Sequence, residues 1–281
     1  MNKATKLAKR TAGLFSKSPQ KRALARLEFW ISFNHRMAWL TQKSASDYLK
    51  MQHKFYELAA STATANPGKV DGDVVVGFWG QQEQCEDFKT YLLKHVPPDP
   101  IWIALEYGCG PGRNIRGFSP RFRRIDGVDI SKRNLANAEQ FLKGEIPDEK
   151  WPRLYQTSGS DTGAAEAGLY DFCFSTICMQ HICVWEIRFS ILQSLYRCLK
   201  SGGRLSIQMG FGQPSAAKVS YHSNHYSAGS TNSGCDVVVS DPKEVEEDLK
   251  KIGFKEFESW IRPCGPGGDF PNWIFFTCVK S

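Results

Sequence analysis

Nowhere in this 281-residue chain is there a run approaching the ~18 to 20 consecutive apolar residues that cross a bilayer. The best runs, residues 101–105 and 273–276, are far too short, so no helical membrane span is expected. Residues 1–26 hold no Asp or Glu, yet eight of the 36 Lys and Arg fall there (Lys3, Lys6, Lys9, Arg10, Lys17, Lys21, Arg22, Arg26). The remaining chain carries 28 basic against 29 acidic groups, so the formal charge of +7 belongs to an N-terminal arm and not to the body. No Cys-x-x-Cys occurs among the nine cysteines, which are odd in number and sit mostly in apolar runs such as residues 172–183. That usage points to reduced, core-filling thiols in a cytoplasmic protein and argues against zinc. No apolar segment follows the basic start, so no secretory signal is expected. At 41% hydrophobic and 23% charged, the composition excludes collagenous, coiled-coil and wholly disordered chains.

The arm has few large apolar residues (Leu7, Leu14, Phe15), too few for a strong amphipathic face, and reads as a flexible, solvated tail over residues 1–26. A weak contact with an anionic membrane surface or with RNA phosphates, or a transit peptide, is the sharper reading of the same charge. With no surplus of positive charge on the body, nucleic acid is not expected as the main substrate. The sequence sets no oligomeric state.

Ser18 and Pro19 supply a helix cap and a first-turn proline for an aromatic-rich helix to about residue 40. A second helix is expected over residues 46–60, with Tyr48, Met51, Phe55 and Leu58 on one side, and residues 61–73 read as a loop. These make an N-terminal helical cap over residues 27–78. From residue 79 to 281 short apolar runs alternate with helical patterns: helix 83–95, strand 101–107, strand 125–129, helix 131–143, strand 170–175, helix 184–199 and strand 204–209. Such alternation means crossover units, hence an α/β fold on a mainly parallel sheet. Asp241, Pro242 and Glu244 form a capping box for a helix that stops at Gly253. The last two runs, residues 255–261 and 273–279, are joined by a turn-rich link at 265–268 and should pair antiparallel.

The strongest signal is Glu106-Tyr107-Gly108-Cys109-Gly110-Pro111-Gly112, directly after the first apolar strand. Alternate glycines let the backbone turn tightly and approach a ligand at the carboxyl edge of the sheet. Asp129 ends the next strand, 17 residues beyond Gly112, where a carboxylate can accept both hydroxyls of a ribose. A nicotinamide dinucleotide, the rival ligand of an oxidoreductase, would need Gly-x-Gly-x-x-Gly, and its third glycine falls on Arg113. Glu106 beside the loop suits a cationic ligand and repels a diphosphate.

With these motifs the sequence resembles the class I S-adenosylmethionine-dependent methyltransferases over roughly residues 79–279. Glu106 to Gly112 resembles the first motif, Val128-Asp129-Ile130-Ser131 the second-strand acidic motif, and residues 170–175 the fourth strand. Met179-Gln180-His181-Ile182 and residues 199–205 resemble the segments that follow. The resemblance implies a Rossmann-like sheet of seven strands in the order 3-2-1-4-5-7-6, the last antiparallel, and S-adenosyl-L-methionine as cofactor. It places Glu106, Gly108, Cys109, Gly110 and Gly112 around the methionyl and ribose part, Asp129 on the ribose diol and Ile130 over adenine. Asp161 and Thr162 are expected near the adenine amine, and Thr176 near the methionyl end.

Methyl transfer is an in-line displacement at an activated carbon, so a base is needed only if the acceptor must lose a proton. His181 is the candidate. Residues 213–240 read as a polar lid, with Tyr221, His222, His225 and Tyr226, alongside Gln180, expected to bind acceptor. His222 and His225 lack nearby carboxylates, and no metal is expected. Residues 175–178 lack the Asn/Asp-Pro-Pro-aromatic signature of exocyclic-amine methylation, which disfavours DNA adenine chemistry. The expected activity is therefore O-methylation of a small-molecule or glycan-type acceptor. An RNA or protein methyltransferase, or a non-catalytic cofactor-binding partner protein, is the alternative.

Overall fold

The computed structural model describes residues 44–60, 88–97, 99–226, 236–264 and 270–281, together with scattered positions between 14 and 29. The loop expected over 61–73, the link at 265–268 and most of the helix expected over 18–40 lie outside the described residues.

Seven strands form the main sheet: β1 (Ile103–Tyr107), β2 (Arg124–Asp129), β3 (Leu154–Gln156), β4 (Tyr170–Ser175), β5 (Leu199–Phe211), β8 (Phe254–Pro263) and β9 (Asn272–Lys280). A separate parallel pair, β6 (Lys218–Ser220) and β7 (Asp236–Val238), falls between β5 and β8 in the chain. The main order is β3-β2-β1-β4-β5-β9-β8, with β9 antiparallel to both neighbours and the other pairings parallel. With the small pair set aside, this is the 3-2-1-4-5-7-6 order expected from the sequence.

Alternation across the pleat explains the two cores. Within β4, Phe172 and Phe174 enter one core and Cys173 the other, and all three are fully buried. Strands covered on both faces read as continuous apolar runs, which is why β1, β2 and β4 stood out in the sequence. On the Phe172 side, Phe172 stacks between Trp102, Phe122 and Phe174. Ile101, expected inside the first strand, is 66% exposed and precedes it.

Among the described residues five α-helices flank the sheet: α1 (Ala45–Ala59), α2 (Arg113–Phe118), α3 (Lys132–Leu142), α4 (Trp185–Cys198) and α5 (Pro242–Ile252). Ser44 and Ser131 cap α1 and α3, and the capping box at Asp241 and Glu244 starts α5, which ends on left-handed Gly253. The buried stripe of α1 is Tyr48, Gln52, Phe55 and Ala59, not Tyr48, Met51, Phe55 and Leu58. Gln52 displaces the expected apolar positions because its amide finds partners inside. Tyr48 belongs to the main core, so α1 is fastened to the sheet domain. The helix expected over 83–95 is, in its described part, a single π-helical turn at Phe88–Leu92. Residues 213–240 are not wholly a loop: β6 and β7 were too short to register as strands, and 227–235 lie outside the described residues. Among the described residues no helix is long and apolar enough to cross a membrane.

Candidate active site

The carboxyl ends of β1, β2 and β4 meet at one edge of the sheet, and the glycine loop turns there into α2. The amides of Gly108 and Cys109 donate to the Val128 carbonyl at 2.8 and 3.0 Å, clipping the loop to β2. Gly108, Gly110 and Gly112 all have positive φ (75°, 52° and 89°). A Cβ on Gly108 would collide with the Cys178 side chain, and one on Gly112 would stand 2.9 Å from Leu142 of α3. Glycine is therefore demanded twice over at both positions, by backbone conformation and by space.

Asp129 closes the loop from the side. Its Oδ2 accepts from the Gly110 amide at 2.9 Å, while Oδ1 accepts from the Ser131 amide at 2.8 Å and Asn134 Nδ2 at 3.2 Å. Burial raises the Asp129 carboxyl above its usual range, against the lowering effect of these three donors. A carboxylate has about four acceptor positions, so Oδ2 retains room for one further donor. The sequence expectation of two hydroxyls at this carboxylate exceeds what the present hydrogen bonds leave.

Glu106 is fully buried at the end of β1. Its Oε1 accepts from Asn114 Nδ2 at 2.5 Å, and the same amide donates to Thr176 Oγ1 at 2.8 Å. Oε2 has no partner. Burial pushes this carboxyl up to about 8, with the Asn114 hydrogen bond working in the opposite direction.

The segment after β4 crosses above the glycine loop. Ile177 adopts φ 49°, a left-handed conformation costly for a β-branched residue, and its amide is held at 2.8 Å by Gln208 Oε1 of β5. This bend seats Cys178 against Gly108. A 3-10 turn at Met179–His181 follows, and His181 Nδ1 lies 2.8 Å from Asp236 Oδ1 of β7, whose other oxygen takes Lys218 Nζ of β6 at 3.1 Å.

Helix α1 braces both flanks of this edge. The Tyr48 hydroxyl accepts from the Cys183 amide at 2.8 Å and Gln52 Nε2 at 2.7 Å, and donates to the His181 carbonyl at 3.2 Å. Further along the helix, Glu57 Oε2 accepts from Ser131 Oγ at 2.6 Å and the Arg133 amide at 3.2 Å. Between them, Leu49 and Ile130 approach the Cα of Gly159 so closely that a Cβ there would meet both within 3 Å.

The structure brings Glu106, Gly108, Gly110, Gly112, Asp129, Ile130 and Thr176 to this edge. Cys109 lends only its backbone, since its side chain is buried against Gly127. Asp161 ties its own loop, accepting from the Gly163 amide, Thr157 Oγ1 and Ser158 Oγ. Thr162 is fully buried and faces α4 through Ser194 and Cys198, which removes it from the adenine position expected of it. Gln180 is buried, accepting from Gln208 at 3.4 Å. Tyr221 corrects the lid reading: it is 1% exposed, with its ring over the Arg188 guanidinium and its carbonyl bonded to the same side chain. Buried Arg188 has to find acceptors, and it draws the carbonyls of Ile182 and Tyr221 inward. His222 follows, lying against Trp185 and 3.7 Å from Asp248 on the α4–α5 side. Tyr226 donates to Glu186 of α4 at 3.0 Å, and the His225 amide donates to the Cys183 carbonyl at 3.0 Å. Sequence reasoning missed Asn114, Cys178, Gln208 and Asp236; only Asn114, directly after the glycine loop, offered a signal.

Residues 105–207 match a family model described as a methyltransferase domain. Over that stretch, from β1 into β5, the chain is similar to methyltransferase domains. Among solved structures it is similar in fold to the Haemonchus contortus phosphoethanolamine N-methyltransferase 2 in complex with phosphomonomethylethanolamine and S-adenosylhomocysteine (20% identity, TM-score 0.52). That match covers 70% of this chain and 53% of the other, so it spans about half of the other protein's length. An S-adenosylmethionine-dependent methyltransferase from Mesorhizobium loti matches at 14% identity and TM-score 0.51, over 71% of this chain and all of the other. The [4+2]-cyclase SpnF matches at 13% identity and TM-score 0.51, over 70% and 81%. No curated protein matches the chain.

The residues of the methyltransferase edge fit the cofactor. The unpartnered, fully buried Oε2 of Glu106 is suited to an ammonium, and the remaining acceptor position on Asp129 to a ribose hydroxyl. The glycines leave the backbone bare where a ligand must approach it.

Proposed function

We propose that this chain transfers a methyl group from S-adenosylmethionine to an oxygen of a small-molecule or glycan-type acceptor, with His181 receiving the departing proton. Glu106 would hold the amino group of the cofactor, Asp129 a ribose hydroxyl, and Ile130 the adenine face. Bound there, the cofactor supplies a methyl group made electrophilic by its sulfonium.

The observation that carries the base role is the 2.8 Å contact of His181 Nδ1 with Asp236. Burial alone would raise the Asp236 carboxyl, but hydrogen bonds from His181 and Lys218 hold it below the usual carboxylate range. An ionised Asp236 accepts from Nδ1–H, which leaves Nε2 as the basic nitrogen. The hydroxyl proton of the acceptor passes to Nε2 as the new carbon–oxygen bond forms. Tyr48 and Gln52, both bonded to the His181 carbonyl, fix the turn that carries the ring.

Incubation with radiolabelled cofactor and a fractionated cell extract tests the reading. Label in a small polar or glycan fraction, lost by roughly 100-fold in His181→Ala while S-adenosylhomocysteine affinity holds, is the expected result. Label only in RNA or protein refutes the acceptor class.

A further inference from the structure

A cavity of about 1220 Å³ lies on the outer face of α1, between that helix, the segment carrying Pro19 to Arg26, and the start of α3. It is larger than the ~300 to 1,000 Å³ of ordinary small-ligand pockets. Its walls carry Arg22, Arg26, Lys50, His53, Lys54 and Arg133, from three separate parts of the chain. Among its described lining residues the one carboxylate is Glu57, already engaged by Ser131 Oγ and the Arg133 amide. Arg26, Lys50, Lys54 and Arg133 form no ion pair among the described residues, whereas nine other Lys and Arg side chains do. Like charges converging on one concavity with a single carboxylate among its described lining residues disfavour the fold locally, and the same field concentrates anions. The basic excess read in residues 1–26 is thus extended by the folded body, through Lys50, Lys54 and Arg133.

From this convergence we infer that the cavity is a phosphate-binding vestibule, taking a small ligand with two or more phosphate groups. Arg22 and Arg26 would approach it from one wall, Lys50 and Lys54 from the α1 face and Arg133 from α3. Thr157 and Ser158 line the same cavity just past β3, with their hydroxyls donating to Asp161. The vestibule is distinct from the glycine loop, none of whose residues lines it.

Calorimetric titration of the full chain with inorganic tripolyphosphate at low ionic strength tests the inference. Binding is expected, weakening at least roughly tenfold both in the double variant Lys50→Glu, Lys54→Glu and on raising salt to about 0.5 M. Both lysines are exposed, and thermal melting should show the variant folded, with S-adenosylhomocysteine affinity unchanged. Absence of tripolyphosphate binding, or equal binding to wild type and variant, overturns the vestibule. So does binding of a short oligoribonucleotide or of anionic vesicles in its place, each pointing to a macromolecular surface. Failure of S-adenosylhomocysteine to bind the wild type would overturn the cofactor reading instead, and leaves this measurement standing on its own.

Discussion

His181 and Asp236 stand 55 residues apart in the chain, and a single hydrogen bond of 2.8 Å joins the 3-10 turn after β4 to the first residue of β7. If this carboxylate orients the imidazole, Asp236→Asn should lower turnover by roughly tenfold or more while S-adenosylhomocysteine affinity stays near wild type. The ring nitrogens provide a second readout: 15N spectra should show the Nδ1–H tautomer dominant in wild type and redistributed in the variant. Unchanged turnover and tautomer would assign the pair a purely structural part.

Glu106 makes cofactor binding proton-linked. Its carboxyl moves from 4.5 to about 8 on folding, so between those values the folded state keeps a proton that the unfolded state has lost. Stability of the ligand-free protein should therefore fall as pH rises through that window. An ammonium at Oε2 favours the ionised form, so binding of S-adenosylhomocysteine at about pH 6.5 should release protons and tighten as pH approaches 8. Calorimetry in buffers of differing ionisation enthalpy measures this. Glu106→Gln should abolish the release, weaken binding and flatten the pH dependence of stability.

Gly108→Ala should fail for two separable reasons, a positive φ and a collision with Cys178. A loss of about 1 to 3 kcal/mol is expected, together with weakened S-adenosylhomocysteine binding. Cys178→Gly removes the collision and leaves the backbone strain, so the double variant should recover part of the loss. Urea unfolding of the four proteins in the cycle gives the coupling directly.

Tyr48→Phe deletes one oxygen on which the Cys183 amide and the Gln52 side chain both depend. Losing this acceptor of the Cys183 amide inside the protein should cost about 1 to 3 kcal/mol. Hydrogen exchange should rise in α1 and around residues 179–183 together, because the same hydroxyl holds both.

The sheet was readable because β1, β2 and β4 are covered on both faces, which forces continuous apolar runs such as residues 170–175. The glycine loop was readable because Gly108 and Gly112 permit almost no other residue. Illegible parts depended on distant partners. Tyr221 looked like a surface tyrosine in a polar stretch until Arg188, 33 residues away, was seen to draw its carbonyl inward. Asp236 gave no sign of its role, since its partner comes from another part of the fold and β7 has three residues. Gln52 breaks the apolar stripe of α1 because an amide with two acceptors, Tyr48 Oη and the His181 carbonyl, is stable where a methionine was expected.

The insertion of β9 between β5 and β8 has a consequence for the order in which the molecule is made. Among the described residues strand β8 pairs only with β9, yet leaves the ribosome before it, so the sheet cannot grow strand by strand in the direction of synthesis. Until residues 272–280 arrive, β5 presents a bare edge along its length and β8 has nothing to hydrogen-bond. The right half of the sheet must therefore close in one late step, and a nascent chain stalled before that step exposes an unpaired edge open to aggregation.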